Sequence, residues 1–187
     1  FVRGLETCLY LGADVVVNTD GDNQYRGSDI VRLVEPLRNK QAMMVVGCRD
    51  ISNHAEFSRI KKWIQKFGSK IVQLLSGYDI PDATSGFRAM DRLALLRMTI
   101  MSHFSYTIET LLQAQPANLN VHWVSISVNK KARESRLFTS MTSFIYQQVK
   151  TILLVSMLHR PAKLFNWIVC TSTLIAIFLG ARIMYHL

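Results

Sequence analysis

Two carboxylates one residue apart, Asp20 and Asp22, follow the apolar run Val15-Val16-Val17 within the string Asp20-Gly21-Asp22-Asn23-Gln24. Hard oxygen ligands at the carboxyl end of a buried strand lie where open α/β sheets bind their ligands, and such a pair suits a divalent cation that grips a diphosphate. Gln24 adds an amide oxygen, so Asp20, Asp22 and Gln24 are the candidate ligands for Mg²⁺ or Mn²⁺. The same string also suits a turn closed by Asx hydrogen bonds. A second polar stretch, Asp82-Ala83-Thr84-Ser85-Gly86-Phe87-Arg88, has the small side chains of a tight loop able to come close to a sugar or a phosphate. A third, around Arg133, Ser135 and Arg136 beside Lys130 and Lys131, offers clustered donors. That cluster suits either a lid over phosphates or a patch that attracts anionic lipid, and the two roles are compatible.

The elements that must carry these groups read as an α/β alternation. Residues 1–11 have apolar positions on one helical face and lead into the Val15 strand. Ser28 is placed to cap a helix bearing Ile30, Val31, Leu33, Val34 and Leu37, with Pro36 straining its last turn. Residues 42–47 read as a second buried, parallel strand ended by Gly47. Over 57–75 a helical pattern puts Ile60, Trp63, Ile64, Phe67, Ile71, Leu74 and Leu75 on one side and Arg59, Lys62, Lys66 and Lys70 on another. Residues 77–86 read as a loop, 93–98 and 108–114 as helices, and 121–128 as a strand. From 164 to 181 no side chain is charged, and with 182–187 snorkelling the segment approaches the roughly 20 residues that span hydrocarbon. The expected organisation is therefore a globular α/β part over 1–137, an amphipathic juxtamembrane helix over 138–163 and a transmembrane segment over 164–187.

Composition narrows the function classes. The 187 residues carry a formal charge of +9, and between 121 and 163 seven basic residues face Glu134 alone. Such an excess suits lipid head groups or a phosphate-bearing substrate. Nucleic acid is disfavoured, because the charges flank an apolar span and form no recognition motif. Cys8, Cys48 and Cys170 are scattered, and His54, His103, His122, His159 and His186 share no metal spacing, so neither a disulfide framework nor a zinc site is expected. Arg160 and Lys163 before the span, against Arg182 after it, favour a cytoplasmic globular side.

Four strings in order, Val15 to Tyr25, Val46-Gly47-Cys48-Arg49, Asp82 to Ala89, and Arg133-Glu134-Ser135-Arg136-Leu137, resemble glycosyltransferase family 2, in particular its polyprenyl-phosphate sugar transferases. The resemblance runs from about Gly4 to Lys163. It implies part of a GT-A fold, a Rossmann-like sheet that binds a nucleotide-sugar, followed by an interfacial helix and a C-terminal membrane helix. Roughly two or three βα units of ~30 residues each are expected to precede Phe1. The resemblance further implies a metal-dependent, inverting hexosyl transfer from a nucleoside-diphosphate sugar to a polyprenyl phosphate at the lipid bilayer. Arg49, Lys66, Thr84, Gly86, Arg88, Arg133, Ser135 and Arg136 then fall at substrate-binding positions. Asp82, Ser85 and Glu109 fall near the reaction, with Asp82 by the donor sugar and Ser85 by the acceptor phosphate. Lys66 also suits a solvated or membrane-facing helix surface, and Glu109 a plain helix-surface position. A membrane-bound interaction protein without catalysis is the alternative.

Overall fold

The computed structural model describes residues 1–50, 59–101, 106–129, 141–159 and 161–186. Helix α1 (Val2–Tyr10) ends where Leu11 N–H bonds back to Thr7, and Gly12 at φ 81° turns the chain into β1 (Val15–Asn18). A loop carrying the acidic pair and a 3₁₀ turn (Gly27–Asp29) lead to α2 (Ile30–Arg38) and β2 (Met44–Arg49). Then come α3 (Arg59–Ser76), β3 (Arg88–Asp91), α4 (Arg92–Arg97), α5 (Tyr106–Ala114), β4 (Val121–Ile126), α6 (Met141–His159) and α7 (Pro161–His186).

The four strands form one sheet in the order β1-β3-β2-β4. β2 and β4 run parallel, Met44 opposite Val121 through Arg49 opposite Ile126. β3 is antiparallel to both of its neighbours, with Met90 opposite Val16 on one side and Met44 on the other. It therefore splits β1 from β2 and makes the sheet mixed. The loop expected over 77–86 runs into this strand. β3 escapes pattern reading because it is four residues long, buried on both faces and opens on an arginine.

Alternation along β2 shows how the sheet separates two cores. Met44, Val46 and Cys48 pack with Leu5, Val72, Leu95, Leu111 and Val155 from α1, α3, α4, α5 and α6. Val45 points the other way, into a smaller cluster with Leu33 and Leu37 of α2, Tyr25 and Phe87. Ser28 does not cap α2: Asp29 holds the cap position without a side-chain cap bond, and its carboxylate instead accepts from Ser127 N–H at 3.0 Å. Asp91 does cap α4, accepting from Ala94 N–H at 2.6 Å.

The buried face of α3 is not the one its apolar pattern marks. In α3 the buried line is Ser69, Val72 and Ser76, whereas Trp63, Phe67 and Leu74 of the expected apolar side face out. α6 packs on α5 through Thr151, Val155 and Ser156 and turns Ile145, Val149, Leu153 and Leu154 outward. Periodicity marks a face as apolar but does not say whether protein or something else covers it. In α7 the segment Phe165–Tyr185 is long and apolar enough to cross a membrane, with a mean hydropathy of 1.8, and none of that window is buried against the rest of the chain.

Candidate active site

The acidic loop leaves the end of β1 and is held on both sides. Asn18, the last strand residue, donates through Nδ2 to Gly86 O and to the Tyr106 hydroxyl, both at 2.8 Å. The Tyr25 hydroxyl accepts from Gly86 N–H at 3.3 Å, and its ring stacks on Phe87 with centroids 5.0 Å apart. On the other side Gln24 O accepts from Asn129 N–H at 2.8 Å, Asn129 donates to Asn23 O at 3.0 Å, and Tyr25 bridges to Val128. Within the loop, Asp22 Oδ1 accepts from Gln24 N–H at 3.0 Å and Asn23 sits at φ 58°, so the Asx turn foreseen as the plainer reading is present. It orients the Asp22 carboxylate.

Gly86 is the contact point between the two polar loops. A Cβ there would lie 3.0 Å from both Asp20 carboxylate oxygens and 2.9 Å from the Tyr106 hydroxyl, so only glycine lets the Asp20 carboxylate rest on the 82–88 loop. Burial first, then the like charge of Asp22, raises the Asp20 pKa, with Arg49 opposing. Asp20, with the charge of Asp22 beside it, forms with Asp22 a donor set that a divalent cation would satisfy. Among the described residues no three His, Cys, Asp or Glu side chains gather to hold a metal, at this loop or elsewhere, so the two carboxylates would be joined by donors of another kind such as the Gln24 amide. The cleft beside them, about 340 Å³, is lined by Thr19, Asp20, Asn23, Tyr25, Arg26 and Ile30 among others. The Tyr106 phenol, pushed up to about 12 by burial and then by the charge of Asp20, stays protonated at neutral pH.

Asp82 and Arg49 form a buried ion pair. Arg49 Nε lies 2.6 Å from Asp82 Oδ2 and Nη2 3.1 Å from Oδ1, with Asp82 wholly buried and Arg49 at 12% exposure. Thr84 Oγ1 donates to Asp82 Oδ1 at 3.0 Å and accepts from Arg49 Nη2 at 3.2 Å. Gln65 of α3 donates to both Asp82 and Thr84, at 3.3 and 3.1 Å. Burial alone would raise the Asp82 pKa, but the guanidinium outweighs it and holds the carboxyl below its ordinary value. The same carboxylate keeps Arg49 protonated against the cost of its own burial.

The other expected residues fall into three groups. Ser85 and Arg88 are completely buried. Ser85 donates to Gly47 O, and Arg88 donates to the carbonyls of Ala83, Ser85 and Thr107 and to the Thr110 hydroxyl, lacing the loop to α5. Burial lowers the Arg88 pKa to about 10, so it remains a cation at neutral pH. These bonds place it under the loop. Glu109 is 1% exposed and accepts from Met101 N–H and Gln113 Nε2, which removes the helix-surface alternative. Lys66 is exposed on α3, one position beyond Gln65. Arg133, Ser135 and Arg136 lie outside the described residues, although Asn129 just before them is fastened to the acidic loop. Asn18, Gln65 and Tyr106 were not anticipated, because amides and phenols carry no spacing signature of their own.

Residues 8–98 match the family model Glycosyl transferase family 2. The chain is 34% identical over 131 residues to the UDP-N-acetylglucosamine–dolichyl-phosphate N-acetylglucosaminyltransferase of Methanococcus voltae, covering 67% of this chain and 52% of that protein. It is 25% identical over 138 residues to the undecaprenyl-phosphate mannosyltransferase of Micrococcus luteus, covering 72% and 56%. The chain thus spans about half the length of the curated relatives it matches. Glucosyl-3-phosphoglycerate synthase from Mycobacterium tuberculosis, solved with phosphoglyceric acid, has the same fold with a TM-score of 0.61 at 16% identity, over 83% of this chain and 52% of that one. The same enzyme solved with Mn²⁺ and uridine-diphosphate-glucose superposes with a TM-score of 0.59 at 17% identity, over 82% and 52%. With the acidic pair at a strand end, the glycine loop against it and these relatives in agreement, the chain belongs to glycosyltransferase family 2.

Proposed function

We propose that the protein carrying this chain transfers a hexose, in one inverting displacement, from a nucleoside-diphosphate sugar to a polyprenyl phosphate at a membrane surface. The observation that carries this is the Asp20 carboxylate resting on Gly86 with Asp22 beside it, which joins a cation-binding pair to a loop that can meet the reacting sugar. Two relatives named for polyprenyl-phosphate acceptors, and a neighbour solved with Mn²⁺ and a uridine-diphosphate sugar, support it.

Asp20 and Asp22, with Gln24 next to them, would hold Mg²⁺ or Mn²⁺. A bound cation there supplies positive charge to offset that growing on the departing diphosphate. The chain's own residues do the rest. Asn18 and Tyr25 fix the Gly86 peptide against Asp20, and Asn129 holds the loop from the other side. The acceptor, a phosphate monoester with a second pKa near ~6, is already anionic and asks little of a base. Asp82, held ionised by Arg49, is a poor proton acceptor and acts as an orienting group with Thr84. Ser85, Arg88 and Glu109 keep the loop and α5 in place. Arg133, Ser135 and Arg136 would bind the phosphates, with Lys66 adding charge at the edge. The Phe165–Tyr185 segment spans the bilayer, with the catalytic side cytoplasmic.

The test is an assay of the whole protein in lipid with polyprenyl phosphate, Mn²⁺ and a panel of labelled nucleotide sugars. A lipid-linked sugar is expected. No product across the panel from folded protein, or transfer only to proteins or free saccharides, contradicts the proposal and leaves the non-catalytic reading.

A further inference from the structure

The Tyr106 hydroxyl has a proton that no step of the transfer uses. Tyr106 opens α5, partly buried, with its ring stacked on Phe1 at a centroid distance of 3.8 Å. Its oxygen accepts from Asn18 Nδ2 at 2.8 Å, and among the described residues no acceptor takes its proton. A phenol keeps that proton at neutral pH, so it presents a free donor. The place where this donor arrives is shared. A Cβ on Gly86 would lie 2.9 Å from the Tyr106 oxygen and 3.0 Å from each Asp20 carboxylate oxygen, so phenol and carboxylate stand side by side over the bare glycine. They are reached from opposite faces of the sheet: the cleft lined by Thr19, Tyr25, Arg26 and Ile30 opens on the α2 side, while Tyr106 comes from α5 on the other.

We infer that Tyr106 is a specificity-determining contact to the transferred sugar: its hydroxyl donates a hydrogen bond to one hydroxyl of the hexose, which in turn donates to the Asp20 carboxylate. The inference rests on the hexosyl transfer proposed above and names a residue that selects its sugar. Complementarity chooses the ligand group. A donor beside an anionic acceptor is matched by an alcohol, which accepts one hydrogen bond and gives another. A phosphate oxygen only accepts, and it would meet the Asp20 charge unless a cation lay between them. Asp20 has two oxygens, so one serves a cation while the other takes the sugar hydroxyl. Glycine at 86 leaves open the space in which that hydroxyl approaches both groups. A site built in this way rejects a sugar that lacks the hydroxyl, because the phenol is then left unpaired.

Calorimetric titration of the whole protein in lipid, with Mn²⁺ present, tests this without relying on turnover. The probes are UDP-glucose, UDP-N-acetylglucosamine and GDP-mannose, each beside its nucleoside diphosphate, and then the monodeoxy forms of whichever sugar nucleotide binds tightest. Tyr106→Phe keeps the ring on Phe1, and Asn18 retains its bond to Gly86 O, so the variant is expected to melt with the wild type by circular dichroism. It should bind that sugar nucleotide about 10-fold more weakly, the loss of one hydrogen bond, and bind the nucleoside diphosphate unchanged. One monodeoxy form should bind wild type and variant equally, since its contact is already missing. A variant that binds the intact sugar nucleotide as tightly as the wild type overturns the inference. Equal weakening toward the nucleoside diphosphate overturns it too, by placing the phenol on the phosphates or the cation, and so does a loss that persists with every monodeoxy form, the mark of a merely structural role. In these three cases the wild type still binds a sugar nucleotide and the transferase reading stands. A wild type that binds none of the three sugar nucleotides sinks that reading and this inference together.

Discussion

At the residue scale the site depends on charges that need one another. Asp82 has no access to water and Arg49 little, so removing one partner strands the other in a low-dielectric place. Arg49→Met is expected to destabilise the fold by about 3–5 kcal/mol in urea unfolding, the usual loss when a buried pair is broken from one side. Arg49→Lys, which keeps the charge but not the two-pronged geometry, should fall between. The pair also sets an acid limit. Because the folded Asp82 pKa lies below its ordinary value of 3.8, its contribution is fully present above that value and is lost as pH falls below it, through the folded pKa. Unfolding midpoints measured down a pH series should drop below about pH 4 in the wild type. Asp82→Asn, weaker at neutrality, should lose that part of the slope.

At the element scale the loops meet through a single glycine, and the sheet explains why they can. β1 delivers Asp20 and β3 grows out of the 82–88 loop, and because these strands are neighbours the two polar loops meet at one sheet edge. Gly86→Ala would force the Asp20 carboxylate or the Tyr106 hydroxyl away, and under the proposed mechanism a shift of Asp20 by about 1 Å is expected to lower turnover roughly 100-fold. Steady-state kinetics beside a thermal melt would separate this from a folding defect, since kcat should fall far more than stability. The adjacency itself was not legible in the sequence. β1, β2 and β4 read clearly as apolar runs, but β3 hides behind Arg88, whose burial depends on carbonyls supplied by Ala83, Ser85 and Thr107. The acidic string and the glycine loop were legible because their spacing is itself the chemistry. Asn18, Gln65 and the buried state of Glu109 were not, since they follow from which elements pack together. The outward turn of Trp63 and Phe67 escaped for a related reason: an apolar stripe looks the same whether protein or another surface covers it.

At the scale of the whole molecule a globular sheet domain is followed by one long apolar helix that none of the rest buries. If Phe165–Tyr185 crosses a bilayer, Ile175→Arg near its middle should weaken insertion by about 2.5–3.5 kcal/mol, and the variant should be released from membranes by alkaline carbonate where the wild type is retained. The basic excess of the chain, +9, then faces anionic lipid and phosphate together, which suits a protein that joins a soluble donor to a lipid acceptor. The proposed transfer rests on the acidic pair at the start of the sheet. The most direct measurement is a Mn²⁺ titration of the whole protein by electron paramagnetic resonance, with nucleoside diphosphate present, beside Asp20→Ala and Asp22→Ala. The account predicts saturable loss of the free-ion signal in the wild type and none in either variant; free Mn²⁺ that titrates identically in all three would contradict it.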